Sequence, residues 1–230
     1  EEPCLYAPYI PLVTEPAIFL ALVPASHALA VAEAIKAKYD SEMGRVKDRL
    51  PLYLGITFAP RRTPMRALLD AGRTMIKFPF VWEAWHVKEK VAAENQPHRV
   101  ELTRNGQCLT WHYPATMGDG TTADQWYPYL LTEEPVQGKE LTPTDFRHVK
   151  DLSADNTGDT VYIRSSRFDF AFLDTTGRRF ALHYNQDGRR SDSHTRPYLL
   201  DDLSRFENMW AALRLLERTQ TYQIIQKHLC

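Results

Sequence analysis

The chain is poor in the features that mark a secreted, metal-stapled or membrane-spanning protein. Of 230 residues only three are cysteines, Cys4, Cys108 and Cys230, widely scattered and without metal-ligand spacing. An odd, dispersed set is no basis for a disulfide framework and suits a reducing cytoplasm. The start, EEPC, is acidic where a secretory signal would be basic. The eight histidines include no i, i+4 pair on an expected helix, so nothing points to a zinc site. His194 stands near Ser191 and Ser193, but no Gly-x-Ser-x-Gly elbow accompanies them, which argues against a serine hydrolase. Charge of one sign is missing too: the formal net charge is −1. Any contact with nucleic acid must therefore come from a local patch. There is no internal repeat and no low-complexity segment.

The longest apolar stretch, AIFLALVPASHALAVAEAI, is broken by Pro24, Ser26 and His27 and preceded by Pro16. That is well short of the roughly 20 apolar residues a membrane span needs. Ile18 to Val23 reads instead as a strand buried on both faces, with Leu5 to Val13 as its antiparallel partner. Ser26 is the expected cap of a helix whose face carries Ala28, Val31, Ala32 and Ile35. A second apolar strand follows at Leu52 to Phe58. Thr63 and Pro64 then suit the N-cap and first position of a helix lined by Met65, Leu68, Leu69 and Met75. The order to residue 76 suggests an α+β fold, part of a ferredoxin-like split βαβ sheet with helices on one face. A complete unit would begin with a further strand and helix upstream, so the chain reads as a fragment of a longer protein.

Beyond residue 80 the pattern changes to strands. FPFVWEAWHV is aromatic-rich, and RVELTRNGQCLTWHYP carries Asn105-Gly106 between two β-like runs, a strong hairpin signal. Phe168, Phe170 and Phe172 alternate with Asp169 and Ala171, as in a half-buried strand, with a turn expected at Thr176-Gly177. From Tyr198 onward, Leu199, Leu203, Phe206, Trp210, Leu213 and Leu216 recur at helical spacing, and a last helix ends near Leu229. The expected division is residues 1–80, a palm-like half-domain; 81–190, a β-rich region; and 191–230, a helical end.

The blocks AIFLALVPASHALAVAEAI, LPLYLGITFAPRRTPMRALLDAG and TRPYLLDDLSRFENMWAALRLLERTQ together resemble the CRISPR-associated Csx-eleven family. These proteins are divergent relatives of the Cas-ten large subunit of type III effector complexes. The first two blocks are similar to the second half of a polymerase/cyclase palm, and that likeness covers about the first third of the chain. In active palms a Gly-Gly-Asp-Asp turn directly precedes a strand of the form FLALVP. The resemblance places those four positions on Glu15, Pro16, Ala17 and Ile18, so the metal-binding carboxylates fall on Ala17 and Ile18. Neither offers the hard oxygen ligand that Mg²⁺ requires. The resemblance thus implies a palm without its catalytic acids and without metal or cofactor. It would serve as a cytoplasmic, RNA-contacting scaffold in antiviral defence. The implied partners are other effector subunits, guide and target RNA, and the upstream part of its own parent chain. A nucleotide cyclase or polymerase with acids supplied from that upstream segment is the alternative, and a stand-alone nucleotide-sensing module a third.

Two further sets of residues are candidates on their own chemistry. Arg61 and Arg62 at a helix entry, and Arg178, Arg179, Arg189 and Arg190 in turns, could present guanidinium forks to phosphates, although such pairs are often solvated surface. The loop MGDGTTADQWYPY sets Asp119 and Asp124 beside Trp126, Tyr127 and Tyr129. It is either a stacking or metal-touching loop or a structured turn whose aromatics close over the core. The aspartate spacing lacks the repeat of a calcium loop, which favours the turn.

Overall fold

A computed structural model describes residues 9–77, 81–92, 97–136, 138–154, 158–173, 186 and 196–215. The fold is mixed α+β. Strand β1 (Ile10–Glu15) turns back through Pro16-Ala17 into β2 (Ile18–Leu22), paired antiparallel from Glu15↔Ile18 to Ile10↔Leu22. A 3₁₀ turn leads into helix α1 (Ala28–Met43), followed by β3 (Tyr53–Phe58) and helix α2 (Met65–Met75). Then come β4 (Glu83–Val91), β5 (His98–Arg104), β6 (Gln107–Tyr113), β7 (Tyr129–Leu131), β8 (Phe146–His148) and β9 (Thr160–Ile163). The last described elements are β10 (Arg167–Phe172), β11 (Tyr198–Leu199) and helix α3 (Leu203–Arg214).

The largest layer is a six-stranded antiparallel sheet in the order β6-β5-β4-β9-β7-β8. The Asn105-Gly106 hairpin forms as expected, with φ +48° and +78°, the left-handed pair that a two-residue primed turn demands. Alternate residues of β4, β5 and β6 turn Trp85, Val87, Val100, Leu102, Leu109, Trp111 and Tyr113 into one core. Leu130, Val149, Leu152, Val161, Ile163 and Leu199 complete it.

The second layer is a three-stranded sheet, β11-β10-β3, in which β10 runs parallel to β3 from Arg167↔Tyr53 to Phe172↔Phe58. Leu54 and Ile56 of β3 face the core formed by Ala32 of α1, Phe168, Leu200 and Leu203. The intervening Gly55 and Thr57 face α2: a Cβ on Gly55 would lie 2.8 Å from Met75 Cβ, and Thr57 Oγ1 sits 3.3 Å from Met75 Sδ. Period-two alternation thus sets β3, half-buried throughout, between helices on both sides, not on one face as the sequence suggests.

Several other expectations are corrected. Ile18–Leu22 is not a central strand buried on both faces: among the described residues it pairs only with β1, and Ile18 and Phe19 are exposed. Helix α1 starts after a 3₁₀ turn, and Ser26 makes no capping bond. Pro64, not Thr63, is the N-cap of α2, and no side chain caps it. Tyr198 and Leu199 form β11 before the helix begins, because β10 offers them an edge to pair with. In β10 the expected half-buried alternation fails: Arg167, Phe168 and Asp169 are buried in succession, and Phe172 is exposed. The buried carboxylate accepts hydrogen bonds from Arg196 Nε at 2.8 Å and from the Phe170 amide at 2.9 Å. The Thr176-Gly177 turn, Leu216 and the final helix lie outside the described residues.

Candidate functional site

The turn that matters to the palm likeness is the tip of the β1–β2 hairpin. Glu15, Pro16, Ala17 and Ile18 are all exposed, and Glu15 is the sole carboxylate among them. No group of three or more His, Cys, Asp or Glu among the described residues could hold a metal. Behind the tip, β2 lies across from the edge of β3 that has no partner among the described residues. Between them runs an apolar groove of about 280 Å³, floored by α1 and lined by Leu20, Leu22, Ala32, Ile35, Ile56 and Leu68 among others. Gly72 of α2 brings that helix against the hairpin: a Cβ there would lie 3.5 Å from Leu20 Cδ2.

Arg61 and Arg62 occupy the turn between β3 and α2, and both side chains are exposed. Helix α2 turns Ala71 and Met75 inward. The opposite stripe carries Arg66, Asp70 and Arg73, with Lys77 just beyond the helix, all exposed. Positions 66, 70, 73 and 77 fall within a narrow arc at about 100° per residue. Only Arg61 and Arg62 of this set draw attention by sequence, because an adjacent pair is conspicuous and a stripe spaced by three and four is not. Arg178, Arg179, Arg189 and Arg190 lie outside the described residues, as do His194, Ser191 and Ser193.

The 117–129 loop is held by its own carboxylates. Asp119 Oδ1 accepts the Thr121 and Thr122 amides and Oδ2 the Thr122 hydroxyl, and these bonds, the hydroxyl's first, pull its pKa down to about 2. Asp124 is buried, and its Oδ1 accepts the amides of Trp126 at 2.9 Å and Tyr127 at 3.0 Å. Arg45 Nη1 stands 3.5 Å from Asp124 Oδ2, and its guanidinium lies over Tyr127, 5.4 Å from the ring centre. Tyr129 meets His148 edge to face at 5.0 Å. Both aspartates are engaged in shaping the turn. Trp126 projects furthest, 75% exposed, with Tyr127 also exposed at 39%.

One constellation had no signal in the sequence. Where the 44–50 segment crosses between the two sheets, Lys47 Nζ lies 4.9 Å from the centre of the Trp111 ring, and the indole N–H donates to Asp201 at 3.2 Å. Lys36 bridges Asp40 at 2.6 Å and Asp201 at 3.4 Å. Burial lowers the Lys47 pKa and pushes the Tyr39 phenol up to about 12. Asp48 is 1% exposed, and neither carboxylate oxygen accepts a well-formed hydrogen bond among the described residues. Arg49 Nε stands 3.3 Å away as a charge contact. Burial raises the Asp48 pKa to about 6 despite that cation. The associated cavity, about 10 Å³, has room for one water molecule. Perturbed groups gather at active sites and equally in structural networks. With no space for a substrate, this cluster is a polar joint between the layers.

No protein-family model, curated protein or solved structure matches the chain.

Proposed function

We infer that the protein is a non-catalytic, palm-like component of an RNA-guided type III CRISPR effector system, serving as scaffold and RNA-contacting surface. The observation that carries this reading is the hairpin tip. The order β1–β2–α1–β3–α2 is compatible with the second half of a polymerase/cyclase palm, and the turn to which the resemblance assigns the paired aspartates presents only Glu15. One carboxylate cannot bridge two Mg²⁺ ions, and Ala17 and Ile18 add no oxygen. The groove between β2 and β3 favours the same reading. In a palm a further strand lies between the hairpin and the next strand. The groove is apolar and flanked by strand edges that lack partners among the described residues.

Incubation with ATP and Mg²⁺ or Mn²⁺, followed by analysis for cyclic and linear oligoadenylates, tests the non-catalytic half directly. No product is expected. Accumulation of either product would replace this reading with the cyclase or polymerase alternative, its acids supplied from the upstream segment.

A further inference from the structure

We propose that the exposed face of α2, together with the turn before it, is a track for a nucleic-acid phosphate backbone, built from Arg61, Arg62, Arg66, Arg73 and Lys77. The inference deepens the RNA-contacting half of the reading above and does not depend on the catalytic state of the hairpin tip. Residues 59–77 hold these five cations against a single carboxylate, Asp70, in a chain whose formal charge is −1. All five are exposed. The inner face of the same helix is committed to packing through Ala71, Gly72 and Met75, so the cations are presented from an anchored element.

Helix stability does not account for this arrangement. The first turn of α2 carries no acid, and Arg61, Arg62 and Arg66 crowd the end where the helix dipole disfavours positive charge. The single acid on the stripe, Asp70, lies 3.9 Å from Arg66 and leaves the other four cations without an ion pair among the described residues. Arg66 to Lys77 spans about 16 Å at a rise of about 1.5 Å per residue. Phosphates placed along that length would meet side chains at successive turns, with Arg61 and Arg62 extending the run past the helix start. Guanidinium groups suit this task because two donors can engage one phosphate. Contacts of this kind position a strand without reading its bases.

Binding of a fluorescently labelled single-stranded RNA of mixed sequence, at about 50 and 200 mM salt, tests the track in the full chain. Replacing Arg66, Arg73 and Lys77 together with alanine should weaken binding at least tenfold at the lower salt. The salt slope should fall by up to about 2, roughly 0.7 for each phosphate of a single strand that is no longer neutralised. The weakening should be similar for unrelated RNA sequences, and the Arg66→Lys/Arg73→Lys variant should retain most of the slope. Circular dichroism unchanged from wild type would show that the variants remain folded. Superimposed curves for wild type and triple alanine overturn the track while RNA binding itself survives. A wild-type chain that binds phosphatidylserine vesicles through these residues and ignores RNA overturns it too. Oligoadenylate synthesis, by contrast, would sink the non-catalytic reading and leave the track untouched.

Discussion

The six-stranded sheet and the β1–β3 region handle apolar residues in opposite ways. In the large sheet, burial alternates along β5, β6 and the first half of β4, up to the irregularity after Val87, and thirteen buried residues, Leu199 of β11 among them, form one core. In the hairpin and β3, no residue is fully buried, although IFLAL and YLGITF are among the most apolar stretches of the chain. The difference lies in what faces each strand. An antiparallel sheet covered on one side needs every second residue inside and satisfies its backbone through adjacent strands. The hairpin and β3 instead leave edges without partners among the described residues on either side of a groove, so hydrophobicity alone cannot remove them from water. Apolar sequence predicts burial only where a partner is supplied.

The contrast can be broken first by truncating one aromatic side chain in each region. Trp85 is fully buried, and Trp85→Ala should cost about 3–5 kcal/mol in urea unfolding. Phe19 is 55% exposed on the hairpin, and Phe19→Ala should cost less than about 1 kcal/mol. Equal losses would mean that the hairpin is as well covered as the sheet.

The joint between the regions gives the next largest effect. The folded-state pKa of Asp48 is raised from 3.8 to about 6, so the folded protein holds this proton more tightly than the unfolded chain. That contribution is complete below about pH 4 and is lost as pH rises through about 6; it amounts to about 3 kcal/mol. Asp48→Asn should therefore gain stability relative to wild type across that interval and remain parallel above it. Denaturant midpoints at pH 4, 5, 6 and 7 decide the matter (each about one unit apart on the scale that sets the effect), and a constant difference would show that Asp48 is not buried as a lone acid.

Within the smaller sheet, Gly55→Ala places a Cβ against Met75 and should cost about 1–3 kcal/mol through overpacking of α2 on β3. A neutral result would mean that α2 rides loosely there. A comparably small effect belongs to the large sheet's exposed hairpin. Gly106 has φ +78° and open space around its missing Cβ, so Gly106→Ala should cost only about 1 kcal/mol, from backbone conformation alone. A thermal shift well beyond that would assign Gly106 a packing role.

What the sequence made legible was local. Asn105-Gly106 announced its hairpin because two residues with positive φ determine the turn, and Pro16-Ala17 marked a second one. Burial of β10 on both faces was hidden, because Asp169 is buried with the help of Arg196, distant in sequence, which reaches its carboxylate. The joint of Lys47, Asp48, Trp111 and Asp201 was hidden for the same reason: its members come from separate segments, and no spacing links them. At the candidate site, Arg61 and Arg62 stood out as a pair. Arg66, Arg73 and Lys77 gained meaning only once the buried face of α2 was known.

The topology also bears on how the chain assembles. The parallel pairing of Tyr53 with Arg167 closes a very long loop, a slow event when it must occur by chain diffusion alone. The whole six-stranded sheet lies inside that loop, and its first strand pairs with its last: Glu83 sits opposite Ile163. Once β4 and β9 join, the strands leading to β3 and β10 emerge side by side, and the long closure shrinks to a short one. The inserted sheet thus acts as a clamp that must set before the smaller sheet can zip. Pulsed hydrogen exchange should protect the β4–β9 amides ahead of those shared by β3 and β10, and the reverse order would refute the clamp.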